Sequence, residues 1–188
     1  MKKLLLGVLI LMGCGQQTKD DQQGKADSNP IKKISVIIFN EIFPNGKNTI
    51  EVVLSKVIRG NKTTLYYIDS LGKGLSLGNF TIYKDTHEYI LWKKDRCYFV
   101  EEVLIPDKRN NTKVYFYKFD GGKSRDDESL LVFDESKELM LIYYLASRDI
   151  FKYDSHEKGK EYFEEVVKQA VNYPWNNYYK WLNIKSKE

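Results

Sequence analysis

The side chains that could do chemistry in this chain are few and scattered. The two cysteines are Cys14 and Cys97, and the two histidines are His87 and His156. A zinc site needs several such ligands that converge on one point, and neither histidine has the spacing of a metal ligand. We therefore predict no metal site and no catalytic role for either histidine.

The acidic residues do not define a site either. Asp126, Asp127 and Glu128 could hold a hard cation, but they lack the alternating spacing of a calcium loop and are expected to form a solvated connection. With 26 acids in the chain, a carboxylate pair for glycoside hydrolysis could be chosen in many ways. The sequence contains no HExxH, P-loop or GxGxxG motif. We predict a protein that is not an enzyme and carries no cofactor, with a small hydrolase as the third interpretation.

Cys14 follows a segment typical of secretion signals. Lys2 and Lys3 precede nine apolar residues at positions 4–12. A helix that crosses a bilayer needs roughly 20 apolar residues, so the run is too short for one. It fits the short apolar region of a signal peptide. Residues 1–13 are therefore predicted to be a signal peptide that is removed.

The residues Leu11-Met12-Gly13-Cys14 resemble the lipobox of bacterial lipoproteins, which has an aliphatic residue, a small residue before the cut and then cysteine. The resemblance implies cleavage before Cys14, transfer of diacylglycerol to its thiol and acylation, often with palmitate, of the new amino group. Each CH₂ of a buried acyl chain contributes about 0.8 kcal/mol of membrane affinity, so two or three chains anchor a protein firmly. The alternative is an unmodified thiol after a chance Gly-Cys pair.

The segment at residues 15–30 has no apolar side chain larger than Ala26. Such a composition buries too little surface to fold, so residues 14–30 are predicted to be a lipidated, flexible tether. A coil of its 16 residues after Cys14 spans roughly 20 to 24 Å. Within it, Lys19, Asp20 and Asp21 resemble the surface-export signal of some Gram-negative lipoproteins, and a solubilising charge cluster is the alternative.

These features predict a lipid-anchored protein of the cell envelope. Gly15 is not the aspartate that retains lipoproteins in the inner membrane of other Gram-negative bacteria, so the outer membrane is favoured over the inner. If the export signal acts, the protein is exposed on the surface. Removal of residues 1–13 takes away Lys2 and Lys3 and no acid, which lowers the formal charge from +4 to +2. The near-neutral mature chain argues against a nucleic-acid partner.

The rest of the chain, residues 31–188, is predicted to be one β-rich domain. Short β-type runs separated by turn residues occupy positions 34–39, 50–58, 63–69, 79–84, 88–93, 97–105, 112–119, 130–133, 139–145 and 149–153. A buried helix is the alternative for the run that starts at residue 139. Cys97 lies in one of the runs and is expected to be a small buried hydrophobe. Once Cys14 carries lipid, no intramolecular disulfide is possible.

The pattern changes to helical spacing from about residue 155. Asp154 and Glu157 resemble a capping box, and an apolar stripe follows that includes Tyr162, Phe163 and Val166. Pro174 is expected to end or kink this helix and to open a second one. Its stripe would be Trp175, Tyr178, Tyr179 and Leu182. The predicted fold class is therefore α+β, mainly antiparallel β as a sandwich or barrel, with one or two C-terminal helices packed on the sheet.

The chain is rich in aromatic residues, with 14 tyrosines, nine phenylalanines and three tryptophans. Core filling by β-strand residues explains most of them; if a ligand site exists, the candidate contacts are Tyr66, Tyr67, Trp92, Tyr115 and Tyr117. A helix-closed barrel would resemble lipocalin-like folds, but the Gly-x-Trp signature near the first strand is missing. The leading hypothesis is a non-enzymatic module that binds a small molecule or a protein, and the alternative is an immunity or inhibitor protein against a toxin or enzyme. The oligomeric state is not predicted.

Overall fold

The computed structural model describes residues 27–28, 32–43, 45–69, 78–107, 111–121, 128–154 and 159–184. The predicted roles of Cys14, Lys19, Asp20, Asp21 and His156 concern residues outside these ranges. The strands are β1 (Asp27–Ser28), β2 (Lys32–Asn40), β3 (Asn48–Arg59), β4 (Lys62–Asp69), β5 (Gly78–Tyr83), β6 (Tyr89–Trp92), β7 (Asp95–Ile105), β8 (Thr112–Phe119), β9 (Ser129–Phe133), β10 (Leu139–Tyr144) and β11 (Asp149–Asp154). Two helices follow, α1 (Lys160–Asn176) and α2 (Tyr178–Asn183).

The strands β2 to β11 form a closed ten-stranded antiparallel barrel. Each strand pairs with the next in sequence, and β11 pairs back with β2 in a register that sets Ile150 opposite Phe39. The two-residue strand β1 pairs with the end of β3, so the described structure starts before residue 31, the predicted first residue of the domain. Closure satisfies the backbone donors and acceptors that an open sheet would leave at its edges. The predicted fold class is confirmed, with the barrel as its form.

The alternation of side chains along the strands fills the barrel with an interior core. In β3, Val52 and Leu54 are buried inside while Glu51 points out, because successive residues of a strand face opposite sides of the sheet. Cys97 belongs to the same core and is fully buried, as expected. Burial raises the pKa of its thiol well above the usual range, which keeps it neutral and unreactive.

A second core lies between the outside of the barrel and the helices. Every residue of β9 is buried, because alternate side chains face the interior core and this helix-side core. The run that starts at residue 139, for which a buried helix was the alternative, is the strand β10. A β-bulge between Leu139 and Leu141 lets two consecutive residues, Met140 and Leu141, join the helix-side core.

The helices confirm the predicted first stripe and correct the predicted boundaries. Tyr162, Phe163 and Val166 are buried against the barrel. The helix begins at Lys160 after Gly159, however, and Asp154 is the last residue of β11, so the capping box predicted at Asp154 is wrong. Position 157, the other half of that box, lies outside the described ranges.

The proline in the C-terminal region does not separate the helices either. Pro174 lies inside α1, which continues to Asn176, and the break between the helices falls at Asn177. A proline in the last turn removes one hydrogen bond without ending the helix. This three-residue shift changes which aromatic side chains the helices bury.

The barrel has two ends that differ in what they carry. At the lower end lie β1, the first residue of β2 and the turn from β3 to β4. At the upper end lie the β2–β3 connection and the β10–β11 turn, which meet where the amide of Glu41 donates to the carbonyl of Arg148 at 2.8 Å. Helix α1 starts after β11 at the lower end and places Trp175 beside Arg148 at the upper end.

Candidate functional site

The barrel interior holds four of the five aromatic residues predicted as ligand contacts. Tyr67 and Tyr117 are buried in the interior core, and Trp92 and Tyr115 are partly buried against it. Tyr66 is on the outside of β4 with 37% of its surface exposed, because adjacent strand residues point to opposite faces. The structure thus brings four candidates together and excludes Tyr66 from the group.

The interior is packed by aromatic rings in contact with one another. The Tyr67 ring centroid lies 5.9 Å from that of Phe80 and 5.1 Å from that of Tyr153, both edge-to-face. The Tyr67 hydroxyl accepts a hydrogen bond from the amide of Leu139 at 2.9 Å. Burial raises the pKa of Tyr117 to about 12, as expected for a phenol held away from water. These rings act as core residues for one another.

Three clefts found in the described part of the chain do not open on these four residues. They are lined by the outer face of the barrel, its loops and the helices, and none of the three is lined by Tyr67, Trp92, Tyr115 or Tyr117. A small-molecule site inside the barrel would require these packed rings to move.

A titratable cluster lies where the β9–β10 turn covers the lower end of the barrel. The Lys137 amine is 3.1 Å from the centroid of the Tyr115 ring, and His87 stacks on the same tyrosine with ring centroids 6.5 Å apart. Burial lowers the pKa of Lys137, and the carboxylates of Glu102 and Asp134 oppose that shift. His87 is exposed and has no group of metal ligands around it: no cluster of three or more His, Cys, Asp or Glu side chains that could hold a metal occurs among the described residues.

A group of five large, exposed apolar residues lies at the upper end of the barrel. We call it the upper patch, and its members have between 46% and 81% of their surface exposed: Ile42, Phe43, Trp175, Tyr178 and Tyr179. The first two come from the β2–β3 connection, and the others from the end of α1 and from α2. Large apolar side chains exposed at one end of a domain are candidates for an interaction surface.

Hydrogen bonds from one asparagine hold the β2–β3 part of the upper patch in place. The side-chain oxygen of Asn40 accepts from the backbone amides of Ile42 and Phe43 at 2.9 and 3.3 Å. Its amide nitrogen donates to the carbonyl of Ser147 at 2.8 Å and to the carboxylate of Asp149 at 2.9 Å. Asn40 therefore joins the two loops of the upper end, and Ile42 and Phe43 are presented on a supported backbone.

A polar network joins the same loops to α1. The Tyr143 hydroxyl donates to Glu41 at 2.7 Å, and Arg148 pairs with the other oxygen of that carboxylate at 3.6 Å. The Arg148 guanidinium also lies 5.7 Å from the ring centroid of Trp175. Burial, and then the nearby carboxylate, raise the pKa of Tyr143 well above its usual value, so its hydroxyl remains a donor.

A buried lysine fixes α2 to the barrel. Lys118 is 2% exposed; its amine pairs with Glu128 at 3.3 Å, donates to the carbonyl of Trp181 at 3.2 Å and lies 5.1 Å from the Trp181 ring centroid. The Trp181 indole nitrogen donates to Glu128 at 2.8 Å. Each member of this Lys118–Glu128–Trp181 clamp forms an ion pair or a hydrogen bond with each of the other two, and buried charges require such partners.

The clamp decides which aromatic residues of α2 are exposed. With Trp181 turned inward, Tyr178 and Tyr179 face solvent. The predicted packing of Trp175, Tyr178 and Tyr179 on the sheet is therefore wrong, and the residue buried in their place is Trp181. A cleft of about 280 Å³ beside the upper patch is lined by Leu145, Pro174, Trp175 and Trp181, among others.

Sequence reasoning missed Ile42 and Phe43, although their pattern carried a signal. They are large apolar residues directly before the turn residues Pro44, Asn45 and Gly46, where a polar loop is the usual expectation.

Among the described residues, neither helix is both long and apolar enough to cross a membrane.

Comparisons of the chain with protein-family models, curated proteins and solved structures found no match. A proposal for its function must therefore be argued from the arrangement of its own residues.

Proposed function

We propose that the protein is a lipid-anchored component of the cell envelope that binds a protein partner through the upper patch, without catalysing a reaction. The observation that carries this proposal is an exposed aromatic patch held in a fixed arrangement at the end of the barrel opposite the N-terminal strand β1.

The composition of the patch suits a protein surface. Tryptophan, tyrosine and arginine are the residues that most often dominate the binding energy of interfaces, and here Trp175, Tyr179 and Arg148 lie at one end. Tyrosine and tryptophan supply large contact areas with few rotatable bonds, so ordering them on binding costs little entropy. The bonds of Asn40 and the clamp around Trp181 reduce that cost further.

The packed interior favours a protein partner over a small molecule. Barrels that carry a small ligand leave a central cavity for it, whereas here Tyr67, Phe80 and Phe133 occupy that position in edge-to-face contact. The proposal therefore selects the partner-binding form of the sequence hypothesis. An immunity or inhibitor protein is the case in which the partner is a toxin or an enzyme.

The predicted lipid anchor would determine which way the upper patch faces relative to the membrane. A lipid on Cys14 would reach the barrel through β1 at its lower end, which leaves the upper patch pointing away from the membrane. A tether of roughly 20 to 24 Å would allow the barrel to reorient near the bilayer without burying the patch in it. On the outer face of the outer membrane, this arrangement would present the patch to external proteins.

The binding proposal is tested by affinity capture from envelope extracts with three forms of the protein. The double variant Phe43→Ser with Tyr179→Ser removes two exposed members of the patch, and Tyr66→Ser removes an exposed tyrosine elsewhere on the barrel. Loss of a hot-spot residue costs about 2 kcal/mol or more, about 30-fold in affinity. We expect the wild type and Tyr66→Ser to enrich the same protein and the double variant to lose it. Equal enrichment by all three forms would contradict the proposal.

The anchor is tested separately by labelled palmitate. Cys14→Ser should abolish incorporation of the label, because the thiol is the proposed site of diacylglycerol transfer and acylation depends on it. Persistent labelling of the variant would contradict the lipoprotein proposal without affecting the upper patch.

Surface display is tested by protease added to intact cells. The wild type should be digested, and replacement of Asp20 and Asp21 by Ala should protect the protein if Lys19, Asp20 and Asp21 act as an export signal. Equal digestion of both forms would show that these residues are only a charge cluster in the tether.

A further inference from the structure

A groove runs along the side of the barrel, between α1 and the outer faces of β2 and β11. It has a volume of about 400 Å³ and an apolar floor. The floor residues are Ile37, Phe39, Ile150, Phe163, Val167 and Val171. We call this the lateral groove. It is separate from the interior core, because its strand residues point out of the barrel.

The rim of the lateral groove is rich in lysine. Lys47, Lys152, Lys160 and Lys168 line it together with two acids, Glu41 and Glu164. Both acids are already engaged, Glu41 by the Tyr143 hydroxyl and Arg148, and Glu164 by Lys160 at 3.5 Å.

The lysines of the rim differ in whether they form ion pairs with other residues of the chain. Lys152 pairs with Asp154 at 3.4 Å and lies 4.2 Å from the Phe163 ring centroid, and Lys168 pairs with Glu165 at 3.3 Å. Lys47 has no ion pair with any residue in the described ranges. Among the residues that the structure describes, the rim therefore offers a cation without an ion pair at Lys47 and an exposed one at Lys168, whose pairing is worth little in water.

Because the lateral groove has an apolar floor and a cationic rim, we propose that it binds a single long-chain carboxylate, such as a free fatty acid. The acyl chain lies on the floor between Phe163 and Val171, and its carboxylate is held by the lysines of the rim. The segment of α1 that lines the groove, residues 160–171, rises about 16 Å at 1.5 Å per residue, which matches most of an extended acyl chain.

The size of the groove selects this ligand over larger ones. Pockets for small molecules have volumes of roughly 300 to 1,000 Å³, and the lateral groove lies at the lower end of that range. A groove of about 400 Å³ holds a single acyl chain more readily than a docking helix, which is about 10 Å across with its side chains. This site does not depend on the upper patch.

The test measures binding of the fluorescent fatty acid cis-parinaric acid to the chain from residue 14 onward with Cys14→Ser, which avoids detergent that would compete for the groove. Palmitate should displace the probe, and hexadecanol should do so about tenfold less well because it lacks the charge-assisted contacts. Equal displacement by palmitate and hexadecanol, or no binding of the probe, would overturn the proposal.

Variants place the ligand in the groove. Val167→Asp puts a carboxylate on the floor and should lower the affinity for palmitate at least tenfold. The double variant Lys47→Glu with Lys168→Glu reverses two exposed charges and leaves the core untouched. It should lower the affinity for palmitate about tenfold, because each exposed charge contributes up to about 1 kcal/mol and reversal costs more than removal. The control Tyr179→Ser, in the upper patch, should bind like the wild type.

The alternative outcomes are equally decisive. Unchanged affinity in both groove variants would place the ligand elsewhere and overturn the proposal. Binding to anionic lipid vesicles that is lost in the lysine variant, without displacement of the probe by palmitate, would assign the lysines to a membrane surface and also overturn it.

Discussion

The barrel interior and the upper patch are built from the same kinds of residue and differ in what those residues contact. Inside, Phe133 lies edge-to-face against Phe80 and Tyr117 with ring centroids 5.6 and 5.7 Å apart. In the upper patch, the ring centroids of Tyr178 and Tyr179 lie 5.9 Å apart, and these side chains remain 46% and 81% exposed. Aromatic content alone therefore does not identify a binding surface in this chain. The two regions differ in how their rings are placed, by strand alternation inside the barrel and by the clamp around Trp181 at α2.

The largest difference between the two regions should appear when one phenylalanine is removed from each. Phe133→Ala leaves a cavity between packed rings and should lower the free energy of unfolding by about 3 to 5 kcal/mol. Phe43→Ala removes a ring that is 72% exposed and should change it by less than about 0.5 kcal/mol. Chemical denaturation of the two variants measures both values. Similar losses in both would mean that the upper patch is part of the core.

The next effect concerns the clamp that joins the barrel to the patch. Lys118→Ala leaves the carboxylate of Glu128 buried without its cation and should destabilise the protein by about 3 kcal/mol. Because Trp181 loses the same partner, the orientation of α2 should loosen, and tryptophan fluorescence should shift to longer wavelength. Lys180→Ala, which removes an exposed lysine of the same helix whose ion pair with Glu101 is worth little in water, is the control. Equal stability of Lys118→Ala and the wild type would show that the helix is held by apolar packing alone.

A smaller effect is expected at a glycine that borders the interior core. Gly78 has a φ of +108°, and a side chain added there would collide with the indole of Trp92. Gly78→Ala should therefore cost about 1 to 3 kcal/mol through backbone strain and displacement of that ring. Gly60 also has a positive φ, at +58°, but no neighbouring atom lies within 4 Å of an added side chain. Gly60→Asn should cost less than about 0.5 kcal/mol, because asparagine tolerates this conformation. Thermal unfolding of both variants separates the cost of steric crowding by Trp92, which arises only at Gly78, from the cost of a positive φ, which arises at both positions.

Much of the barrel could be predicted from the sequence because strand alternation is a local property. The run at residues 112–119 coincides with β8, and the others differ from the observed strands by a few residues at most. Closure could not be predicted in the same way. It depends on the pairing of β11 with β2, which joins residues far apart in sequence through backbone bonds that leave no pattern in either strand.

The candidate site was less predictable, since its residues are defined by small shifts in helix boundaries. A helix that begins at Pro174 would place Trp175, Tyr178 and Tyr179 on one buried stripe, whereas the observed break at Asn177 turns Trp181 inward. The attraction between Lys118 and the Trp181 carbonyl and ring, on elements 63 residues apart, decides that orientation. No spacing rule within the helix contains this information.

The central claim is that the upper patch contacts a protein partner, and photo-crosslinking in intact cells tests it most directly. Benzoylphenylalanine is placed either at Tyr179, in the patch, or at Tyr66, an exposed tyrosine on the outside of β4. We predict that irradiation joins the Tyr179 variant to a discrete protein of defined mass and leaves the Tyr66 variant uncoupled. The absence of an adduct at Tyr179, or the same adducts from both positions, would contradict the claim.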